Sequence, residues 1–147
     1  NGQVAIQQLS QTQSLTDTFT VLNADGVTST TVTITIHGTD DKPTLVADSG
    51  SVTEDTAVTA GGELTTSGTL AAGTGGDAGE DKFTAGNFTG TYGKLTLDVN
   101  GNWVYTADNG QVAIQQLSQT QSLTDTFTVL NADGVTSTTV TITIHGT

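Results

Sequence analysis

The sequence predicts an all-β chain: an antiparallel sandwich of about seven short strands, carried as the unit of a tandem repeat. Three observations lead there. Apolar and β-branched residues alternate with Thr at period two, clusters of Gly, Asn and Asp interrupt these runs, and the helical period is nearly absent. Thr supplies 33 of the 147 residues, and its branched side chain suits extended backbone.

Residues 1–39 return without a substitution as residues 109–147, at an offset of 108 residues. A chain of ~110 residues can bury one core, whereas ~40 residues cannot without a staple or a partner. Residues 40–147 therefore read as one complete repeat, and residues 1–39 as the C-terminal part of a preceding identical repeat. The boundary falls in HGTDDKPT (37–44), which holds the only Pro, a Gly and two consecutive acids. The sequence around Asp108 and Asn109 has no such linker chemistry. The expectation is that 40–147 folds together, while 1–39 is disordered or docks elsewhere by swapping between chains.

Within the repeat, GKLTLDVNGNWVY (93–105) is the sharpest hairpin. A two-residue Asn100-Gly101 loop would pair Leu97 with Val104 and turn Trp103 outward. A type I turn over Asp98–Gly101 with a bulge at Gly101 pairs Leu97 with Trp103 instead. Asp at the first turn position, Gly at the fourth and burial of the only Trp favour the second. Residues 112–117 (VAIQQL) have room for a turn or two of helix. LTDTFTV (123–129) alternates as a strand, but Asp125 shares the inward parity of Leu123, Phe127 and Val129. An inward acid needs an escape to solvent or a cation. The turn NADG (131–134) leads to a strand whose Val140, Ile142 and Ile144 face a core while Thr139, Thr141 and Thr143 face water; Val32, Ile34 and Ile36 repeat this in the first copy.

Composition excludes several function classes. There is no Cys, hence no disulfide framework or thiol chemistry. Three Lys and no Arg stand against fifteen acids, a net charge of −12. Residues 40–147 hold all three Lys and thirteen of the acids, a net charge of −10, so each repeat repels nucleic acid and anionic membranes. No apolar run is long enough for a membrane helix. Tandem units this acidic would also repel one another, and a divalent cation between them turns that repulsion into a joint. Catalysis is not expected. His37 and His145 are one outward position seen twice, no Ser sits in a nucleophile-elbow phrase, and the glycine-rich 73–79 lacks the Lys-Ser/Thr of a phosphate loop. The outward row Thr139, Thr141 and Thr143 offers a second reading, a face for glycan or ice.

Read together and in order, GSVTED (50–55), SGTL (67–70), DAGE (77–80), GTYG (90–93), LTLDVNGNWVY (95–105), LTDTFTV (123–129) and VTITIHGT (140–147) closely resemble a VCBS repeat. The resemblance covers 40–147, and 1–39 by identity. It implies a cadherin-like or immunoglobulin-like sandwich used as an extender in large secreted bacterial surface adhesins of the RTX type. Such proteins are exported by type I secretion, with neighbouring identical repeats as partners. It also implies weakly held Ca2+ at inter-repeat joints, with oxygen ligands from the linker, an early Glu and loop acids. The positions that match are Asp40 and Asp41 in the linker, Glu54 in VTED, Asp77 in the loop GGDAGE (75–80), Asp133 with its twin Asp25, and Asp125 with its twin Asp17. The loop is usually an Asp-x-Asp-x-Gly phrase; here Gly75 replaces the first Asp. Asp17, Asp40, Asp41, Asp77 and Asp133 would serve one joint, and Glu54 and Asp125 the next.

Overall fold

A computed structural model describes residues 3–147; Asn1 and Gly2, the first two positions of the 1–39 copy, lie outside the described residues. The elements run α1 (Val4–Gln7), β1 (Ser14–Leu22), β2 (Ser29–His37), β3 (Asp48–Thr53), β4 (Glu63–Thr69), β5 (Gly86–Thr89), β6 (Gly93–Leu97), β7 (Asn102–Asp108), α2 (Val112–Gln115), β8 (Ser122–Leu130) and β9 (Ser137–His145). The chain forms two compact units. One is Asn1–Lys42 with Gly75–Ala78, the other Pro43–Thr74 with Gly79–Thr147.

The first unit is built on a hairpin. β1 and β2 pair antiparallel from Ser14 opposite His37 to Leu22 opposite Ser29, which sets Phe19 across from Val32 and Asp17 across from Ile34. The turn between them is held by Asn23 N–H donating to the Thr28 carbonyl, and by Asp25, whose carboxylate accepts from the amides of Val27 and Thr28.

The second unit contains seven strands in two sheets, β3-β9-β8 and β4-β7-β6-β5. The antiparallel expectation holds for every pair in this unit but one. β3 runs parallel to β9, from Asp48 opposite Val140 to Thr53 opposite His145. The first and last strands of the unit therefore point the same way. The chain enters beside the start of one and leaves at the end of the other, so entry and exit lie at opposite ends of the sandwich.

The period-two pattern puts one face of each sheet inside. Leu64, Leu95, Leu97, Trp103 and Tyr105 of the four-stranded sheet are buried, and meet Val52, Phe127, Val129, Val140, Ile142 and Ile144 of the three-stranded one. The β6–β7 hairpin has the bulged geometry. Leu97 pairs with Trp103 and Leu95 with Tyr105, Gly101 N–H donates to the Asp98 carbonyl, and Gly101 takes φ +88°. The indole of Trp103 lies against backbone where a side chain would intrude. A Cβ at Gly68 would come within 2.5 Å of the ring, and one at Gly50 within 2.7 Å. Its Nε1–H donates to Asp48 at 2.8 Å. After β7 the chain crosses to the other sheet through α2, a single turn anchored by the buried Ile114. Thr139, Thr141 and Thr143 are half-buried rather than fully outward, because β9 is the central strand and β3 and β8 flank it.

Candidate metal centre

Asp77 is buried, on the loop between β4 and β5, which is turned by Gly75 at φ +84° and Gly79 at φ +94°. Asp40 is exposed and Asp41 half-buried in the linker. Asp40 and Asp77 belong to the same compact unit, and one carboxylate oxygen of each lies within 4.8 Å of the other. With one oxygen each, Asp40 and Asp77 supply fewer than half of the six to eight oxygens a calcium ion takes, the rest being the usual province of carbonyls and water.

Among the described residues, the other acids that the sequence pointed to do not join a cluster of three or more. Asp17 is an exposed residue of β1. Asp133 holds its own turn, its carboxylate accepting from the amides of Val135 and Thr136 at 2.8 Å each and from the Thr136 hydroxyl. Asp25 does the same in the first copy, and these hydrogen bonds, led by that of the Thr28 hydroxyl, hold its carboxyl below the usual range. Asp in such a turn fixes backbone whether or not a cation is near.

Glu54 follows β3 at the exit end of the sandwich. Its amide donates to the His145 carbonyl, and its Oε1 accepts from the backbone amide of Thr147 at 2.9 Å and from the Thr147 hydroxyl at 3.2 Å. The residue is 3% exposed, and its Oε2 is buried with no donor among the described residues. A carboxylate oxygen without a donor or a cation is costly in such a place, so the residue fits a cation ligand. Beside it Asp55 sits in the left-handed region at φ +55°. Its carboxylate accepts from the side chains of Asn109 at 2.8 Å and Gln115 at 3.1 Å, which hold its carboxyl below the usual range.

Asp125, expected to serve the same joint as Glu54, has protein donors on both oxygens. The amides of Thr91, Tyr92 and Gly93 and the Tyr105 hydroxyl all donate to it, at 2.7 to 3.3 Å. Successive amides in a loop make a cradle for an anion, and this one answers the inward acid that the strand pattern left needing a cation or solvent. The loop approaches so closely that a Cβ at Gly90 would lie 2.7 Å from the carboxylate. Burial, then the hydrogen bond to Asp125, push the Tyr105 hydroxyl far above its usual value, so it remains a donor.

Among the described residues, no helix is long and apolar enough to cross a membrane. No curated protein sequence matches the chain. The family model for the bacterial cadherin-like domain matches residues 40–146, beginning at the first linker acid and covering both sheets and every strand of the second unit. Domains of this kind are typically extracellular, generally non-enzymatic, and commonly bind Ca2+. The match spans most of the sequence, and the chain belongs to the bacterial cadherin-like domain family.

Proposed function

We propose that this protein is an extender: a VCBS-type repeat that spaces the adhesive tip of a large secreted surface adhesin from the cell, with calcium stiffening the joints between repeats. The observation that carries the reading is the parallel pairing of β3 with β9. A sandwich entered at one end and left at the other adds its full length to an array. Calcium is supported by the approach of Asp40 and Asp77, and by the buried Oε2 of Glu54 at the exit end. Glu54 would meet the linker acids of a following repeat, since the repeat that ends HGT at 145–147 is followed by Asp-Asp in the copy that ends at Thr39. The glycan or ice reading draws no support from the half-buried row Thr139, Thr141 and Thr143.

Thermal melting of two whole repeats in tandem, titrated with calcium, tests the proposal. Extracellular modules bind calcium with Kd of ~10⁻⁴–10⁻³ M, so millimolar calcium should raise Tm. Asp77→Asn and Glu54→Gln should each reduce that rise. A Tm that ignores calcium in the unaltered protein would sink the calcium part of the reading, and a compact rather than rod-like tandem in small-angle scattering would sink the extender part.

A further inference from the structure

Basic residues are few, and their placement has a pattern. The chain has three Lys and no Arg, so a protease that cuts after basic residues has three bonds to attack: those after Lys42, Lys82 and Lys94. Cutting needs the bond and its neighbours drawn out of the fold, which is easiest at exposed loops. Each of the three bonds is closed by a different device. Lys42 is exposed in the linker, but the next residue is Pro, whose ring and missing N–H spoil the fit of a protease beyond the cut. Pro43 is itself buried; a Cβ at Gly73 would lie 2.9 Å from its ring. Thr44 and Thr74 exchange N–H···O bonds at 2.8 and 3.3 Å. Lys82 lies in an irregular loop whose backbone is tied on both sides of the bond. The Ala132 amide donates to its carbonyl at 3.0 Å, the Phe83 amide to the Val99 carbonyl at 3.0 Å, and the Thr84 amide to the Leu130 carbonyl at 2.9 Å. The side chain of Phe83 is held in the core. Asp81 lies 3.4 Å from the Lys82 ammonium and competes for it with the carboxylate of a protease pocket. Lys94 is on β6, an interior strand, with Thr89 on one side, Thr106 on the other and the buried Leu95 next in the chain.

We propose that the fold withholds all of its basic residues from proteases that cut after Lys or Arg, so that the folded chain resists this class of enzyme with or without calcium. The segments easiest to draw out carry no basic residue. Ala71 and Ala72 are exposed in a loop outside the strands, and the β8–β9 turn exposes Val135, yet neither segment holds a Lys. Residues 1–41 and 95–147 hold none at all, so local opening of either copy of the 39-residue hairpin presents nothing to cut. Resistance therefore rests on where the lysines stand rather than on uniform rigidity. The inference is independent of both the extender and the calcium readings.

The test incubates the full 147-residue chain with trypsin, once in millimolar calcium and once in a chelator, and identifies fragments by mass. The folded chain should stay whole in both. In urea, cuts should appear after Lys82 and Lys94 while the bond after Lys42 survives, and Pro43→Ala in urea should add a cut there. Ala72→Lys places a basic residue in the exposed loop and should be cut in the folded state ~100-fold faster than any bond of the unaltered chain. Four outcomes overturn the proposal. One is a folded chain cut after any of its three lysines as fast as Ala72→Lys is cut, and another a folded chain cut only once calcium is removed. The third is cleavage after Lys42 of the unaltered chain in urea. The fourth is an Ala72→Lys variant as resistant as the unaltered chain, which would make rigidity the cause. Should circular dichroism show Ala72→Lys to be unfolded, Val135→Lys in the β8–β9 turn takes its place with the same expectations.

Discussion

Asp17 and Asp125 are one residue set in two surroundings, and the contrast isolates what the surroundings contribute. Asp125→Ala removes the acceptor of three loop amides and a buried tyrosine hydroxyl, and donors left without partners each cost ~1–3 kcal/mol. Urea unfolding of the second unit should show a loss of about 3 kcal/mol or more, and the same substitution at Asp17 a change within about 0.5 kcal/mol. The exposed turn acids contribute to the acid limb of stability. Asp98 is held below the usual range chiefly by the side chain of Asn102, Asp55 by that of Asn109, and Asp25 by the Thr28 hydroxyl. Depressed folded-state values mean that their contribution is complete above the unfolded carboxylate range, about pH 4, and is lost as pH falls through the lower folded values. The urea midpoint should therefore hold near neutrality and drop below about pH 4, with a shallower drop in Asp98→Asn.

At the scale of the element, the β6–β7 hairpin depends on one backbone conformation. Gly101 at φ +88° lies where a Cβ would come within 2.8 Å of the Leu70 carbonyl oxygen and 2.9 Å of the Phe83 ring. Gly101→Ala should cost about 1–3 kcal/mol in the same unfolding measurement, by strain and crowding together. The β8–β9 hairpin depends on its cover. Phe127→Ala should cost about 3–5 kcal/mol, as deletion of a buried aromatic does. Phe19→Ala removes the same atoms from a half-exposed place and should leave the melt of the second unit unchanged. Equal losses at the two positions would mean that the first hairpin is as well covered as the second.

At the scale of the whole molecule, charge and direction matter more than any one contact. A net charge of −12 on 147 residues makes calcium binding and simple screening easy to confuse. Sodium chloride at matched ionic strength separates them. A ligand at tenfold its Kd stabilises by about 1.4 kcal/mol, so calcium should raise Tm by several degrees where sodium chloride at the same ionic strength does not. The parallel first and last strands give the second unit a direction, with entry at one end of the sandwich and exit at the other.

The alternation of Thr with Val and Ile, the Asp98–Gly101 turn and the pairing of Leu97 with Trp103 were legible in the sequence because each is decided within a few residues. So was the inward parity of Phe127 and Ile142, which follows from strand periodicity alone. The parallel β3–β9 pair was not legible, since it joins segments about ninety residues apart. Nor was the cradle of Asp125, which comes from a loop more than thirty residues away. The two copies of the 39-residue stretch draw the line most clearly. Identical local information gives both the same hairpin with the same register. Only tertiary structure decides that Phe127 and Ile142 are core while Phe19 and Ile34 are exposed, because burial needs a covering surface, and β8–β9 has one in the four-stranded sheet.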